Sequence, residues 1–414
     1  MANIGWIDFS PSHREKIGTI LELLKPEEMV DELGVGIIRD ALANQMFPGI
    51  STIQTCAKYF FLIPYILQEY QALKPSQKRN KNLAKFLDDR EHEIMWDLGD
   101  IYNHELGCGV IGITKKRNQR IMRRPSTIYW NGLHTFDIIN TRGLGINQYL
   151  SLFEKSSLES QISRVSMGDD TAGDDADAEF DNSFGIKIEN DPAWKDQLTL
   201  DLTSEEADFL KQKIVDNVKG KLIAELLCND DLYTEFSNTD SFMDFAKSAV
   251  QSSSSSSQLK RVLTIAHDFS QLAFGAHIAY NYLLQKQKYN KSYFQDEWTE
   301  WLDNLPGAML DYNNFNPTIL FQPPFAVTAR SFTADFIYKF WTAVNRDVIS
   351  PDDIKSLIVT QESFNKRNKA RLRWNKMDDV IEGKWIGLSL LDYRYGRAKR
   401  ILKDINSGQG ANNA

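Results

Sequence analysis

Apolar residues at helical spacing recur along most of this 414-residue chain, and that pattern limits it to a mainly helical fold. Residues 262–284 and 332–344 each place apolar side chains on one helix face, and Gly, Pro and Ser residues between such runs favour caps and turns. Shorter apolar stretches at 4–9, 110–113 and 380–388 have the length of strands. The sequence therefore predicts a mainly α fold with a few short strands (α+β).

Two low-complexity segments divide the chain. Residues 167–182 are acidic and lack a cation, and residues 251–257 include six consecutive serines. Neither segment has enough apolar surface to offset the entropy lost on ordering. We therefore expect two to three helical lobes, with these parts: an N-terminal helical domain (1–166), an acidic mobile linker (167–182), an acidic helical segment (183–250), a Ser-rich spacer (251–257) and a C-terminal helical domain (258–414).

Three protein classes do not fit the composition. No apolar run reaches the roughly 18–20 residues that span a bilayer, and the N-terminus lacks the basic and apolar regions of a signal peptide. Cys56, Cys108 and Cys228 are too few and too scattered for a disulfide framework or a four-thiolate metal site. The sequence predicts a bacterial cytoplasmic protein with no membrane partner.

Charge is distributed unevenly along the chain. The net charge is −8, yet residues 151–250 hold nine cations against twenty-three acids, a local −14. Residues 115–124 hold six cations and no acid, and residues 361–414 hold twelve cations against six acids, a local +6. Basic islands in an acidic protein favour a polyanionic partner, above all DNA, because neutralised phosphates release their counterions.

The first basic island directly precedes a helix start at Pro125 and Ser126. A helix N-terminus offers unpaired N–H groups and a positive dipole end, both suited to a phosphate. The alternatives are a solvated loop and an internal clamp for the acidic linker. The candidate nucleic-acid contacts of this island are Lys115, Lys116, Arg117, Arg120, Arg123, Arg124 and Ser126.

The second basic island interleaves cations with aromatic residues such as Trp374 and Tyr393. Rings and guanidinium planes stack on bases, so this composition favours contact with a nucleic acid. The alternative is a solvated helix face whose charges pair internally. The candidate contacts of this island are Arg371, Arg373, Arg394, Arg397 and Arg400.

One spacing leaves a catalytic alternative open. Asp352 after a proline, followed by Glu382 and Lys384, matches a PD…ExK nuclease core, in which carboxylates hold Mg²⁺ and the lysine steadies the attacking water. Asp352 also lies in a Ser-Pro-Asp-Asp turn that is typical of a helix cap. Outside this alternative the sequence predicts no catalytic residue, no metal site and no cofactor.

Several local sequences resemble a known family. They are GVGIIRDA (34–41), FPGISTIQT (47–55), RPSTIYW (124–130) and DYR (392–394). Together they resemble an uncharacterised bacterial domain-of-unknown-function family. The resemblance implies genes beside helicases and phospholipase-D-like nucleases in phage-defence or DNA-modification islands, and it supplies no catalytic residues. Our leading hypothesis is a non-catalytic, nucleic-acid-associated accessory subunit of an antiviral defence complex; a metal-dependent nuclease and a protein–protein scaffold are the alternatives.

Overall fold

The computed structural model describes residues 31–78, 82–115, 119–154, 184–189, 191, 193–346 and 348–410. Helices account for the regular structure of these ranges, joined by turns and three short 3₁₀ segments, Pro317–Phe321, Pro351–Ile354 and Arg367–Lys369. A further helical stretch covers residues 146–154. The named helices are α1 (Gly36–Met46), α2 (Tyr59–Ala72), α3 (Pro75–Lys78), α4 (Leu83–Ile101), α5 (Pro125–Thr135), α6 (Ser204–Asn217), α7 (Leu222–Cys228), α8 (Asp230–Asn238), α9 (Phe242–Gln251), α10 (Ser257–Tyr289), α11 (Gln295–Ala308), α12 (Ser331–Val344), α13 (Lys355–Lys366), α14 (Arg371–Trp374) and α15 (Tyr395–Gly410).

The described chain forms two compact units, each assembled from segments that are distant in sequence. Unit 1 contains residues 31–42 and Thr264–Leu391, and unit 2 contains Ala43–Leu263 and 392–410. The predicted acidic linker at 167–182 lies outside the described residues. The Ser-rich spacer connects α9 to α10, where the Ser256 hydroxyl accepts a hydrogen bond from the Leu259 N–H at 3.2 Å. The domain boundaries drawn from the sequence stay a prediction.

Unit 1 is organised by the long helix α10, whose buried face carries polar side chains. Asn281, which is fully buried, accepts from the Ile386 N–H at 2.8 Å and donates to the Ile386 carbonyl at 2.7 Å. One turn further along, Gln285 donates to the Ile381 carbonyl at 2.9 Å and accepts from the Gly383 N–H at 3.2 Å. Helix side chains therefore satisfy the main-chain groups of the 380–391 segment that a neighbouring strand would otherwise pair.

The predicted strands at 110–113 and 380–388 are wrong, because no β-strand occurs in the described ranges. Both segments are turns, and the nearest approach to a sheet is an isolated bridge between Ile139 and Ile186. Gly383 and Gly387 adopt φ angles of 66° and 97°, which a strand does not allow. The α+β fold class is corrected to an all-helical fold for these residues; the strand predicted at 4–9 lies outside them.

Unit 2 packs around α2, an almost entirely buried helix that continues through Pro64. Phe60 meets Tyr129 of α5 edge-on, with ring centroids 5.0 Å apart. At the start of this helix the Lys58 ammonium forms a buried ion pair with Glu206 of α6 at 2.7 Å. None of the helices in the described ranges is long and apolar enough to cross a membrane.

Candidate nucleic-acid interface

Three arginines lie at a spacing of three residues around the start of α15, and helical geometry places the last two, Arg397 and Arg400, on neighbouring turns of one side. Arg394 directly precedes the helix, and its Nη1 donates to Asn44 Oδ1 and to the Ile50 carbonyl, both at 2.7 Å. One turn later the Arg397 Nε donates to the Thr52 carbonyl at 3.0 Å. These contacts orient both side chains over the 44–52 segment of unit 2.

Arg400 completes this set, which we call the arginine row (Arg394, Arg397 and Arg400). Its Nη1 and Nη2 donate to the carbonyls of Gly107 and Cys108 at 3.2 and 2.7 Å. A carbonyl is a neutral acceptor, so these bonds fix the guanidinium groups of Arg397 and Arg400 without cancelling their charge. Among the described residues, no carboxylate forms an ion pair with Arg397 or Arg400.

Two acids lie near the arginine row, and both favour the proton more than an ordinary aspartate does. Burial raises the pKa of Asp404 to about 6, opposed by its hydrogen bond from the Ala57 N–H and by the charge of Arg400. Burial likewise raises the pKa of Asp392, opposed by hydrogen bonds from the main chain and by the charge of Arg397. Asp404 is nevertheless mainly ionised at pH 7, so it offsets part of the positive charge of Arg400 without forming an ion pair with it.

The first basic island is partly neutralised by α4. Arg120 Nη1 lies 2.5 Å from Asp88 and 2.8 Å from Asp89, and Arg124 lies 3.7 Å from Asp88. Lys115 and Arg123 have no ion-pair partner in the described part of the chain, and Arg123 is exposed. Lys116 and Arg117 lie outside the described residues.

Ser126 does not present a free helix N-terminus to a ligand. It is fully buried, and both its N–H and its hydroxyl donate to the carboxylate of Glu91, the hydroxyl at 3.0 Å. Burial raises the pKa of Glu91 to about 7, against the opposing effect of the Ser126 hydrogen bonds and of the Arg124 charge. The protein's own acid thus occupies the position where the sequence places a phosphate.

Glu91 has a sequence signal that the charge pattern hides. It follows Leu87 by four residues and precedes Ile94 and Met95 by three and four, so it lies on the apolar face of α4. Glu91, Ile94, Met95 and Pro125 also line a small cavity in unit 2 of about 10 Å³. The position of Glu91 on the apolar face of α4 therefore marks it as a buried acid, whereas the number of acids nearby does not.

The second island is divided between the units, and in unit 1 Arg371 is used internally. Its guanidinium pairs with Asp379 and, at 3.0 Å, with Glu32. The hydrogen bonds that Arg371 donates to Asp379 are the main reason that the pKa of Arg371 is raised. Arg373, by contrast, is exposed and lies over the Trp374 ring at 4.9 Å from its centroid.

The residues of the nuclease alternative have separate partners in unit 1. Asp352 accepts hydrogen bonds from Lys286 at 2.5 Å and Tyr282 at 2.9 Å, and it lies in the capped 3₁₀ segment that follows Ser350. Glu382 pairs with Lys291 at 3.1 Å. Lys384 is exposed, and its main-chain carbonyl faces the Gln285 amide. Across the described ranges, no group of three or more His, Cys, Asp or Glu side chains is placed to hold a metal ion.

Comparison with known proteins gives one match. A family model described as "Family of unknown function (DUF6361)" matches residues 1–409. No curated protein and no solved structure matches the chain.

Proposed function

The chain belongs to this family of unknown function, DUF6361, and from that premise we propose that it is a nucleic-acid-associated accessory protein whose arginine row contacts phosphates. One observation supports the proposal: Arg397 and Arg400 donate their hydrogen bonds to main-chain carbonyls and not to carboxylates. An uncompensated guanidinium attracts a polyanion, and its planar fork of N–H donors can bond two oxygens of one phosphate.

The geometry also lowers the cost of binding. Among the described residues Arg397 donates only through its Nε, so both Nη groups stay available to a phosphate. A side chain already held in one orientation loses less conformational entropy when its ligand binds. Lys403, exposed on the same helix, acts on Asp404 as Arg400 does and therefore adds positive charge near Arg400.

Other cations of the two islands support the proposal less. Arg120 and Arg371 already pair with carboxylates, and the donors of Ser126 are occupied by Glu91. A phosphate would have to displace those partners, whereas it would add to the bonds of Arg397 and Arg400. The proposal therefore assigns the principal contacts to Arg397 and Arg400, and a smaller contribution to Arg394, Arg123 and Lys115.

The resemblance that the sequence carries supports a biological setting for this binding. We place the protein in the bacterial cytoplasm, as a non-catalytic subunit of an anti-phage defence or DNA-modification system. DNA is its nucleic-acid partner, and a helicase or nuclease is its protein partner. Contacts to phosphates alone carry no sequence information, so the subunit binds DNA of any sequence and leaves selection to the partner.

The test is a fluorescence-anisotropy titration of the full chain against two labelled duplexes of unrelated sequence. We expect similar affinities for both duplexes, falling steeply as salt rises. Arg397→Glu should weaken binding more than Lys247→Glu, a matched charge reversal at an exposed lysine of α9. No binding by the wild-type chain at low salt would contradict the proposal and favour the scaffold alternative. Magnesium-dependent cleavage of the duplex would favour the nuclease instead.

A further inference from the structure

Two of the exposed aromatic rings of unit 1, Phe364 and Trp374, each belong to a stack that includes an arginine. Phe364 at the end of α13 stacks on Phe332 of α12, with centroids 5.1 Å apart and planes inclined by 22°. The Arg330 guanidinium lies 5.7 Å from the Phe332 centroid. The column runs from cation to ring to ring, and its last ring, Phe364, is 53% exposed.

A second column stands on the other side of the Arg367–Lys369 turn. Trp374 is 52% exposed, and its indole N–H donates to the Arg367 carbonyl at 3.0 Å, which fixes the plane of the ring. Arg373 lies 4.9 Å from the centroid of that ring. We call Phe364, Arg373 and Trp374, together with the turn between them, the aromatic–cation surface.

Charge around this surface is one-sided. Residues 366–376 contain six cations and no acid. Lys366 and Arg371 pair with Glu32, so part of that charge is used within unit 1. Arg373 has no carboxylate partner among the described residues, and Lys376 bonds only to the neutral Asn368 carbonyl at 2.5 Å. The exposed Trp374 ring therefore lies beside a positive charge that no described carboxylate cancels.

We propose that the aromatic–cation surface binds the unpaired bases of a single-stranded nucleic acid, an inference that rests on the proposed function. Every base has a π face that stacks on Phe or Trp, and the neighbouring cations follow the phosphates. In a duplex the bases stack on each other and are not available to these rings. The arginine row of unit 2 binds duplex backbone, and the aromatic–cation surface of unit 1 selects unpaired strand.

A protein partner is the competing occupant, and the observations favour it less. Exposed aromatic residues also serve as protein-contact anchors. Both columns, however, have an arginine at a ring, and the intervening turn carries two cations and no acid. A protein segment would have to supply aromatic contacts and several acids at once, whereas a nucleic acid supplies both elements in each nucleotide.

The experiment compares binding of a labelled oligothymidylate and a labelled duplex by four full-length proteins. These are the wild type, Trp374→Ala, Phe364→Ala and the control Tyr338→Ala, which removes a 49% exposed ring of α12 in the same unit. Thermal melting first confirms that each variant is folded. Two independent aromatic variants are used so that a folding defect in one leaves the other informative.

Each of the first two variants should lose roughly 5- to 150-fold in affinity for the oligothymidylate and keep its duplex affinity, as expected for loss of one stacked base. The salt dependence should not change in these variants, since stacking releases no counterions. Arg373→Ala should instead reduce the single-strand salt slope by about 0.7. Unchanged oligothymidylate affinity in both aromatic variants, with duplex binding intact, overturns this inference alone and favours the protein partner. Failure of the wild type to bind either ligand contradicts the proposed function as well.

Discussion

The carboxylate of Glu91 accepts hydrogen bonds from both the main-chain N–H and the hydroxyl of Ser126. A buried acid of α4 thereby caps the N-terminus of α5, which begins directly after the first basic island. Acids at a helix N-terminus are favourable because they complement the unpaired N–H groups there. In this protein the acid is also desolvated, and its pKa of about 7 makes the contact sensitive to pH near neutrality.

We predict that Glu91→Gln flattens the pH dependence of stability. The folded-state pKa of about 7 lies above the ordinary 4.5, so the folded protein binds the proton more tightly than the unfolded chain does. The contribution of Glu91 to the free energy of unfolding is fully present below pH 4.5 and is lost as pH rises through 7, by on the order of 3 kcal/mol. Urea unfolding at pH 5 and pH 8 measures this change.

The difference between the two pH values should be smaller in Glu91→Gln than in the wild type. Asp404, with a pKa of about 6, adds a dependence of the same sign that the variant keeps. Asp97→Asn, at an exposed position on the same helix, is the matched control and should behave as the wild type does. A wild-type dependence retained in full by Glu91→Gln would show that Glu91 is not the responsible group.

Lys58→Met should destabilise unit 2 strongly. Glu206 also accepts from the Tyr65 hydroxyl at 3.1 Å and the Thr203 N–H at 2.9 Å, but Lys58 supplies its only opposite charge among the described residues. Breaking a buried ion pair from one side costs about 3–5 kcal/mol because the remaining charge stays buried. Chemical denaturation should show that loss, and Lys58→Met with Glu206→Gln should recover most of it. Equal losses in the single and double variants would contradict this explanation.

Asn281→Leu should destabilise unit 1 by about 2–5 kcal/mol, since it leaves the N–H and the carbonyl of Ile386 without partners. Gln287→Leu is the control on the same helix. Its amide also reaches a main-chain carbonyl, that of Leu372, at 3.1 Å, but Gln287 is exposed and water replaces it. Its loss in denaturant titration should stay below about 1 kcal/mol. Similar losses in both variants would argue against Asn281 as the tie that holds the 380–391 segment.

Gly275→Ala should destabilise the protein, although alanine is the better helix former by roughly 1 kcal/mol. A Cβ at this position in α10 would lie 2.0 Å from the ring of Trp301, and that ring packs against Trp298. Overpacking of this kind costs about 1–3 kcal/mol. Gly396→Ala in α15, where nothing lies within 4 Å, should leave the melting temperature unchanged or raise it. A higher melting temperature in both variants would show that the Trp301 ring does not lie against Gly275.

The helices were predictable because their signals are local. The apolar spacing over 332–344 predicts a helix that the structure gives as Ser331–Val344, and the pattern over 262–284 lies inside α10. The run at 380–388 has the composition of a strand, yet its backbone partners are Asn281 and Gln285, about a hundred residues earlier. Local composition carries no information about such partners, so the predicted strand is wrong.

The candidate interface was likewise predictable in its local features and not in its long-range contacts. The spacing of Arg394, Arg397 and Arg400 is visible in the sequence, and the alignment of Arg397 with Arg400 along α15 follows from it. Their acceptors, such as the Thr52 and Gly107 carbonyls, come from distant segments. Whether a cation meets a carbonyl or a carboxylate decides whether its charge remains available, and the folded chain alone determines that choice.

The salt dependence of duplex binding tests the central claim most directly. We would measure the slope of the logarithm of the binding constant against the logarithm of salt concentration for the wild type and for Arg397→Ala with Arg400→Ala. Each lost phosphate contact reduces the slope by about 0.9, so the account predicts a reduction of nearly two units. Lys219→Ala with Lys247→Ala removes the same charge from exposed positions of unit 2 and should leave the slope unchanged. An identical slope in the wild type and the arginine variant would contradict the account.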